Sequence, residues 1–243
     1  MPVLHVVVPC FNEAGTLDTV LGSIGRVRWP DGWRSEVTVV DDGSEPGAAR
    51  AAEEACRAHG ATLIRLPTNR GKGAAIRTGF ARVLERAAGV DAVAIHDADL
   101  EYDPQDLATL LAALPGHDAV FGNRWGGATD ARLKRRAHRL LNRTLTAASN
   151  LLTGLSIHDM ECCHKLLTVP GLRAILPDLT EDRFGIEPQL AAAAGRHRLR
   201  VAEAPVSYRP RSFAEGKKIR AKDGLRALLV IVRERFRRKT ALA

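Results

Sequence analysis

The apolar run Val93-Ala94-Ile95 ends in acid, with His96 leading into Asp97, Asp99 and Glu101 at alternate positions. On an extended segment, alternation by two turns such side chains to one side. Three carboxylates gathered there would share a hard divalent cation through oxygen ligands. Asp-x-Asp alone is equally a solvated turn, so its meaning depends on what else the chain delivers to the same edge. Three further stretches qualify, each following an apolar run: Pro9-Cys10-Phe11-Asn12-Glu13, Asp41-Asp42-Gly43-Ser44 and Asn69-Arg70-Gly71-Lys72-Gly73.

The elements that must position these residues alternate. Val3–Val8, Val37–Val40 and Ala61–Leu66 read as buried strands, and Ala92–His96 as a fourth. Helices are expected from about Thr16, through an Ala-rich segment ending at His59, and over Ala74–Ala88. Four strand–helix steps in about a hundred residues predict an α/β fold, a mostly parallel sheet with helices on both faces. In such sheets ligands bind beyond the carboxyl ends of the strands. Glu13, Asp42, Lys72 and Asp97 all follow a strand end, so they are expected to line one crevice. Gly71 and Gly73 let backbone approach a diphosphate, with a helix N-terminus behind them; a plain turn explains them as well. Neither the phosphate loop of nucleoside triphosphatases nor the dinucleotide fingerprint Gly-x-Gly-x-x-Gly is present.

The second half is predicted to supply a helix over Pro104–Leu114, a strand over Ala119–Gly122 and a loop in which Arg124 can grip phosphate bidentately. A long helix is expected over Arg132–Leu152, carrying Arg132, Lys134, Arg135, Arg136, Arg139 and Arg143. Such a run is either a solvated face or an attractor of phosphate head groups, and Arg135, Arg136 and Arg139 are the candidates for an acceptor phosphate. Between Asp159 and Lys165, two adjacent cysteines stand near His158 and His164. Neighbouring cysteines are poorly placed to complete a tetrahedral zinc site with these histidines. A strand over Leu166–Val169, a helix over Phe184–Ala194, an edge pair over Arg198–Ala202 and Val206–Tyr208, and a basic amphipathic helix from Asp223 complete the prediction. The last helix suits an anionic membrane surface or packs on the domain.

Composition sets the outer limits. The 243 residues suit one α/β core, and 36 Lys and Arg against 28 Asp and Glu leave a net charge of +8 that points to an anionic partner. Few aromatics interleave with the basic clusters, which argues against a nucleic-acid-binding module. The four cysteines form no disulfide framework, so a reducing cytoplasm is the expected compartment. No signal-peptide core and no run of roughly 20 apolar residues is seen. Residues 1–210 are expected to form the catalytic domain, and 211–243 a basic closing loop and amphipathic helix.

In order, VVVPCFNE, VVDDGS, NRGKG, HDADLEYDP, GNRW, DMECCHK, FGIEP and RSFAEGKKI resemble the motifs of family-2 glycosyltransferases, nearest the dolichyl- or polyprenyl-phosphate sugar synthases. The resemblance runs from about residue 3 to about 228. It implies the GT-A nucleotide-sugar-binding fold and transfer of a hexose, from GDP-mannose or UDP-glucose, to a lipid phosphate. The alternative within the fold is a soluble hydroxyl acceptor. It also implies roles. Pro9, Phe11, Glu13, Val40 and Asp42 would hold the nucleoside; Asp97 and Ala98 would lie against ribose and diphosphate; Asp99 and Glu101 would hold Mg²⁺ or Mn²⁺. Arg124, Arg211 and Lys217 would grip phosphate. Asn12 and Lys72 match motifs too, with shaping the crevice as the other reading. Asp159 stands where hydroxyl-using relatives place a base, or else orients the acceptor or the loop. The implied location is cytoplasmic, peripheral on the inner face of the plasma membrane, with a membrane-protein partner or a homodimer as further assemblies.

Overall fold

The computed structural model describes residues 1–126, 136–211 and 221–237. Seven strands form one sheet: β1 (Val3–Cys10), β2 (Arg34–Asp41), β3 (Thr62–Arg65), β4 (Ala92–Ile95), β5 (Ala119–Asn123), β6 (Lys165–Thr168) and β7 (Val201–Pro205). Their order is β3-β2-β1-β4-β6-β5-β7. Strand β6 runs antiparallel to β4 and β5, and the other neighbours are parallel.

The helices follow from period and caps. Helix α1 (Leu17–Gly25) buries Leu17, Val20, Leu21 and Ile24 at helical spacing. Helix α2 (Pro46–His59) starts with Pro in its first turn and ends at Gly60 in the left-handed conformation. Helices α3 (Lys72–Leu84), α4 (Asp106–Ala112), α5 (Arg136–Thr153), α6 (Val169–Ile175), α7 (Ile186–Arg196) and α8 (Ala221–Arg235) complete the set. Thr168 caps α6 by accepting the Gly171 N–H at 3.1 Å.

Two apolar cores cover the sheet, because successive side chains of a strand leave by opposite faces. Leu4, Val6 and Val8 of β1 join α1, α2 and α4 in one core; Val7 joins Ile76 and Phe80 of α3, Leu190 of α7 and Ile231 of α8 in the other. Helix α8 packs on α5 and α7. From β1 the chain goes outward through β2 and β3, then returns to place β4 on the other side of β1. The crevice beyond the carboxyl ends of β1 and β4 is therefore the switch point at which open α/β sheets bind ligands.

The expected edge pair after Arg198 is instead one parallel strand, β7, hydrogen-bonded to β5. Pro205 has no N–H to extend it. Val206 N–H then donates to Asn123 O at 3.1 Å and Ser207 N–H to Asp106 at 2.7 Å. These bonds turn the chain across the sheet end and carry Tyr208 and Arg211 toward the acidic loop. The long basic helix is described from Arg136; Arg132, Lys134 and Arg135 lie outside the described residues.

Candidate active site

A cleft of about 330 Å³ opens beyond β1, β2 and β4. Pro9, Phe11, Glu13, Asp42, Lys72, Asp97, Ala98, Asp99, Glu101, Arg124 and Arg211 line it, so the structure brings together most of the residues expected from sequence. Val40 does not line it: its side chain is fully buried in the core against α3. Asn12 lies outside the lining too, with φ 53° and its Oδ1 accepting the Glu45 N–H at 2.9 Å ahead of α2. Lys217 and Arg135 lie outside the described residues, as does the side chain of Arg136. Arg139 is exposed, with its guanidinium 5.5 Å from the Trp125 ring centroid.

Asp42 organises the loop before α3. Its carboxylate accepts the N–H groups of Gly71 at 2.7 Å and Arg70 at 2.8 Å, and Nδ2 of Asn69 at 3.1 Å. Burial raises its pKa, and the two backbone donors work against that rise. Gly71 sits at φ +111°, and a Cβ there would meet the carbonyl oxygen of Asp182. Gly71→Ala is therefore expected to cost about 2–4 kcal/mol, from strained φ and overpacking together. An unchanged denaturation midpoint would refute that reading of the loop.

The acidic loop is not the extended strip expected from sequence. Strand β4 ends at Ile95. Asp99 Oδ1 accepts the Glu101 N–H at 3.1 Å, and Leu100 between them has φ 60°. The turn separates the carboxylates into two neighbourhoods. Asp97 faces Lys72, whose Nζ lies 2.9 Å from it, 2.9 Å from Glu187 Oε1 and 2.9 Å from Cys163 Sγ. Burial alone would raise the Asp97 pKa, but the ammonium prevails and lowers it. For Lys72, burial works against the charge and the surrounding acids outweigh it, holding its pKa well above the ordinary value.

Asp99 and Glu101 instead face Arg211. The guanidinium lies 2.9 Å from Asp99 Oδ2 and 3.4 Å from Glu13 Oε2, while the Arg211 N–H donates to Glu101 Oε1 at 2.9 Å. The Tyr208 hydroxyl donates to Glu101 Oε2 at 2.6 Å. Burial, then the charges of Asp97 and Glu101, push Asp99 up to about 7 despite Arg211. Among the described residues, no three His, Cys, Asp or Glu side chains stand ready around a metal. The oxygen donors of Asp99 and Glu101 fit a hard divalent cation by type, provided the Arg211 guanidinium, which now supplies the positive charge between them, gives way.

Arg124 is buried and held bidentately by Asp159, Nε to Oδ2 and Nη2 to Oδ1, each at 2.7 Å. Asp159 also accepts the Arg124 N–H at 3.0 Å and Asn142 Nδ2 at 3.2 Å. Asp159 is 0% exposed and does not line the cleft. Burial would raise its pKa, and Arg124 lowers it instead. A carboxylate so enclosed, with both oxygens on the guanidinium, is placed to position Arg124. Behind it, His96 Nδ1 and His164 Nε2 lie 2.6 Å apart, both fully buried, with Tyr102 against His164.

The sequence profile described as Glycosyl transferase family 2 matches residues 5–176. The chain belongs to that family. This glycosyltransferase-family chain is 30% identical over 217 residues to the undecaprenyl-phosphate 4-deoxy-4-formamido-L-arabinose transferase of Aeromonas hydrophila subsp. hydrophila, covering 88% of itself and 62% of that protein. It thus spans about three fifths of the length of the arabinose-type transferases it matches. It is 28% identical to the undecaprenyl-phosphate mannosyltransferase of Micrococcus luteus, covering 87% of itself and 85% of that protein. Among solved structures it is similar to glucosyl-3-phosphoglycerate synthase from Mycobacterium tuberculosis in complex with Mn²⁺, UDP and glucosyl-3-phosphoglycerate. There the TM-score is 0.68 at 20% identity, with 96% of this chain and 80% of that one covered. The fold is GT-A-type.

Several residues of the family-2 cleft gave no separate signal in sequence. Glu161, Cys163, Arg183, Phe184, Tyr102 and Tyr208 line it, and Glu187 reaches Lys72 from the first turn of α7. Glu161 and Cys163 lie within DMECCHK, and Phe184 and Glu187 within FGIEP. The motifs were visible; which of their side chains turn to the cleft was not.

Proposed function

We propose that this chain is an inverting glycosyltransferase that moves a hexose from a nucleotide sugar, GDP-mannose or UDP-glucose, to a polyprenyl or dolichyl phosphate at a cytoplasmic membrane face. The named relatives that act on undecaprenyl phosphate support the acceptor. The observation that carries the reading is the enclosure of Asp159 by Arg124. A hydroxyl acceptor needs a base, and the residue at the motif position for one is already engaged by Arg124. A phosphate monoester brings an oxygen already ionised near neutral pH, so it can attack the anomeric carbon in line without a base.

The nucleoside would lie against Pro9, Phe11, Glu13 and Asp42, with the diphosphate toward Asp97, Ala98 and Arg211. Breaking the sugar–phosphate bond leaves extra negative charge on the nucleoside diphosphate. Arg211 reaches the site from beyond β7 and would pass from the carboxylates to that charge. Lys72 keeps Asp97 ionised and in place. A Mg²⁺ or Mn²⁺ ion, held by Asp99 and Glu101, would supply further stabilisation of the leaving group.

Membrane contact would be peripheral. No helix among the described residues is long and apolar enough to cross a membrane. Helix α8 packs inward through Ala227, Val230 and Ile231 yet exposes Leu228, Leu229 and Val232, with Phe236 exposed just past its end. Helix α5, packed against α8, exposes Leu140, Leu141 and Leu151, with Arg139 and Arg143 beside them. Apolar stripes flanked by arginines suit an anionic bilayer.

The test is incubation with labelled GDP-mannose or UDP-glucose, polyprenyl phosphate and Mg²⁺, with and without vesicles containing anionic lipid. Chloroform-extractable label with inverted anomeric configuration is expected, together with co-flotation on anionic but not zwitterionic vesicles. Absence of lipid-linked label with either donor overturns the acceptor reading, and absence of flotation overturns the docking reading.

A further inference from the structure

Glu161 is an anomaly of the cleft. It lines the pocket, and its Oε1 is shielded from solvent with no hydrogen-bond partner. The cations around it are already committed: Arg124 to Asp159, Lys72 to Asp97 and Glu187, and Lys165 to the carbonyl oxygens of Met160 and Cys162. Burial, then the charge of Glu187, push its pKa up to about 7; Arg124 and Lys165 oppose this, and Asp159 adds to it. A shielded carboxyl oxygen left without a partner costs stability, and such an atom in a cleft calls for an explanation, of which a ligand that completes it is one.

The chemistry of the missing partner can be selected by elimination. A phosphate would meet the Glu161 carboxyl beside Glu187, charge against charge. An apolar group would leave the oxygen unpaired. A neutral hydroxyl satisfies it, because a carboxyl titrating near neutrality accepts from a hydroxyl when ionised and also donates to one when protonated. The carboxylates Asp99, Glu101 and Glu13 form the other neighbourhood, around Arg211, the cation proposed above to meet the diphosphate. The moiety of a nucleotide sugar that is neutral and rich in hydroxyls is the sugar.

We propose that Glu161 hydrogen-bonds a hydroxyl of the transferred sugar and so sets which hexose the cleft accepts. This rests on the nucleotide-sugar reading above and deepens it. Glu161 is a specificity residue in a subsite bounded by Cys163 and the Lys72–Glu187 pair. Loss of one such contact in a buried site is worth roughly 10- to 100-fold in discrimination.

The experiment is calorimetric titration of wild type, Glu161→Ala and Glu161→Gln with two pairs of probes, UDP against UDP-glucose and GDP against GDP-mannose. Initial rates follow, with the bound donor and its monodeoxy analogues. Expected is a roughly 10- to 100-fold loss of nucleotide-sugar affinity in E161A with nucleoside diphosphate affinity unchanged. E161Q, which still accepts and donates, keeps most of the affinity. Wild type should reject one monodeoxy donor that E161A no longer distinguishes from the parent. Both variants should melt no lower than wild type, since each removes an unpaired buried acid.

Equal affinities of wild type and E161A for the nucleotide sugar overturn the assignment while leaving the donor reading intact. A fall in kcat as deep in E161Q as in E161A, with affinities unchanged, also overturns it, because that is the signature of a proton-transfer group. If wild type binds neither member of either pair, the donor reading fails and the subsite with it.

Discussion

Asp159→Ala is expected to lose about 3–5 kcal/mol of stability and nearly all transfer activity, because it strands the Arg124 guanidinium with an uncompensated buried charge. The loss is larger than for a surface pair, since Asp159 also holds the Arg124 backbone N–H and the side chain of Asn142 in α5. One carboxylate thus ties the loop after β5, the 158–164 segment and α5 together. The Arg124 guanidinium also lies 5.1 Å from the Tyr208 ring centroid, and Tyr208 in turn holds Glu101. Disturbance at Asp159 therefore reaches the acidic loop. A double replacement, Arg124→Met with Asp159→Leu, should recover much of the stability and none of the transfer. Denaturant midpoints and rates per folded molecule separate the two effects. If Asp159→Ala kept the wild-type midpoint and lost only kcat, with pH dependence flattened, Asp159 would be a base after all and a hydroxyl acceptor would return to favour.

Local signals carried the fold a long way. Runs such as Val3–Val8, followed by turn residues and a helical period, specify strand–loop–helix units, and the parallel rule then gathers their loops at one edge. What the chain does not advertise locally is direction and partnership. Leu166–Val169 is apolar enough to be a strand, but nothing in it says that β6 inserts antiparallel between β4 and β5. The alternation of Asp97, Asp99 and Glu101 looks extended because spacing says nothing about φ at Leu100. Arg211 and Asp99 are 112 positions apart, and Arg124 and Asp159 are 35 apart. The roles of these charged groups are decided by those pairings. Asp159 has the right type and motif position for a base; its burial against Arg124, a tertiary property, is what favours a positioning role. Glu161 carried no role from sequence, since an unsatisfied oxygen is defined only by everything that fails to reach it.

Asp99→Asn is expected to lower the transfer rate at saturating donor by roughly 10²- to 10³-fold, the scale for removing one preorganised electrostatic contact at developing charge. The substitution is nearly isosteric, and its effect on stability should be small. It relieves the burial of a charge and the repulsion from Asp97 and Glu101, which together push Asp99 up to about 7, while it loses the 2.9 Å pair with Arg211. These two changes oppose each other, so a lost rate is not a lost fold. Arg211 supplies the discriminating comparison. If a divalent cation and the guanidinium compete for the same carboxylates, Arg211→Ala should strengthen Mn²⁺ binding measured without donor while slowing transfer, because the phosphate loses its grip. Asp99→Asn should weaken Mn²⁺ binding and slow transfer together. Parallel loss of Mn²⁺ affinity in both variants would show that Arg211 supports the metal site rather than standing in for the ion, and full activity of Asp99→Asn would remove the acidic loop from the chemistry altogether.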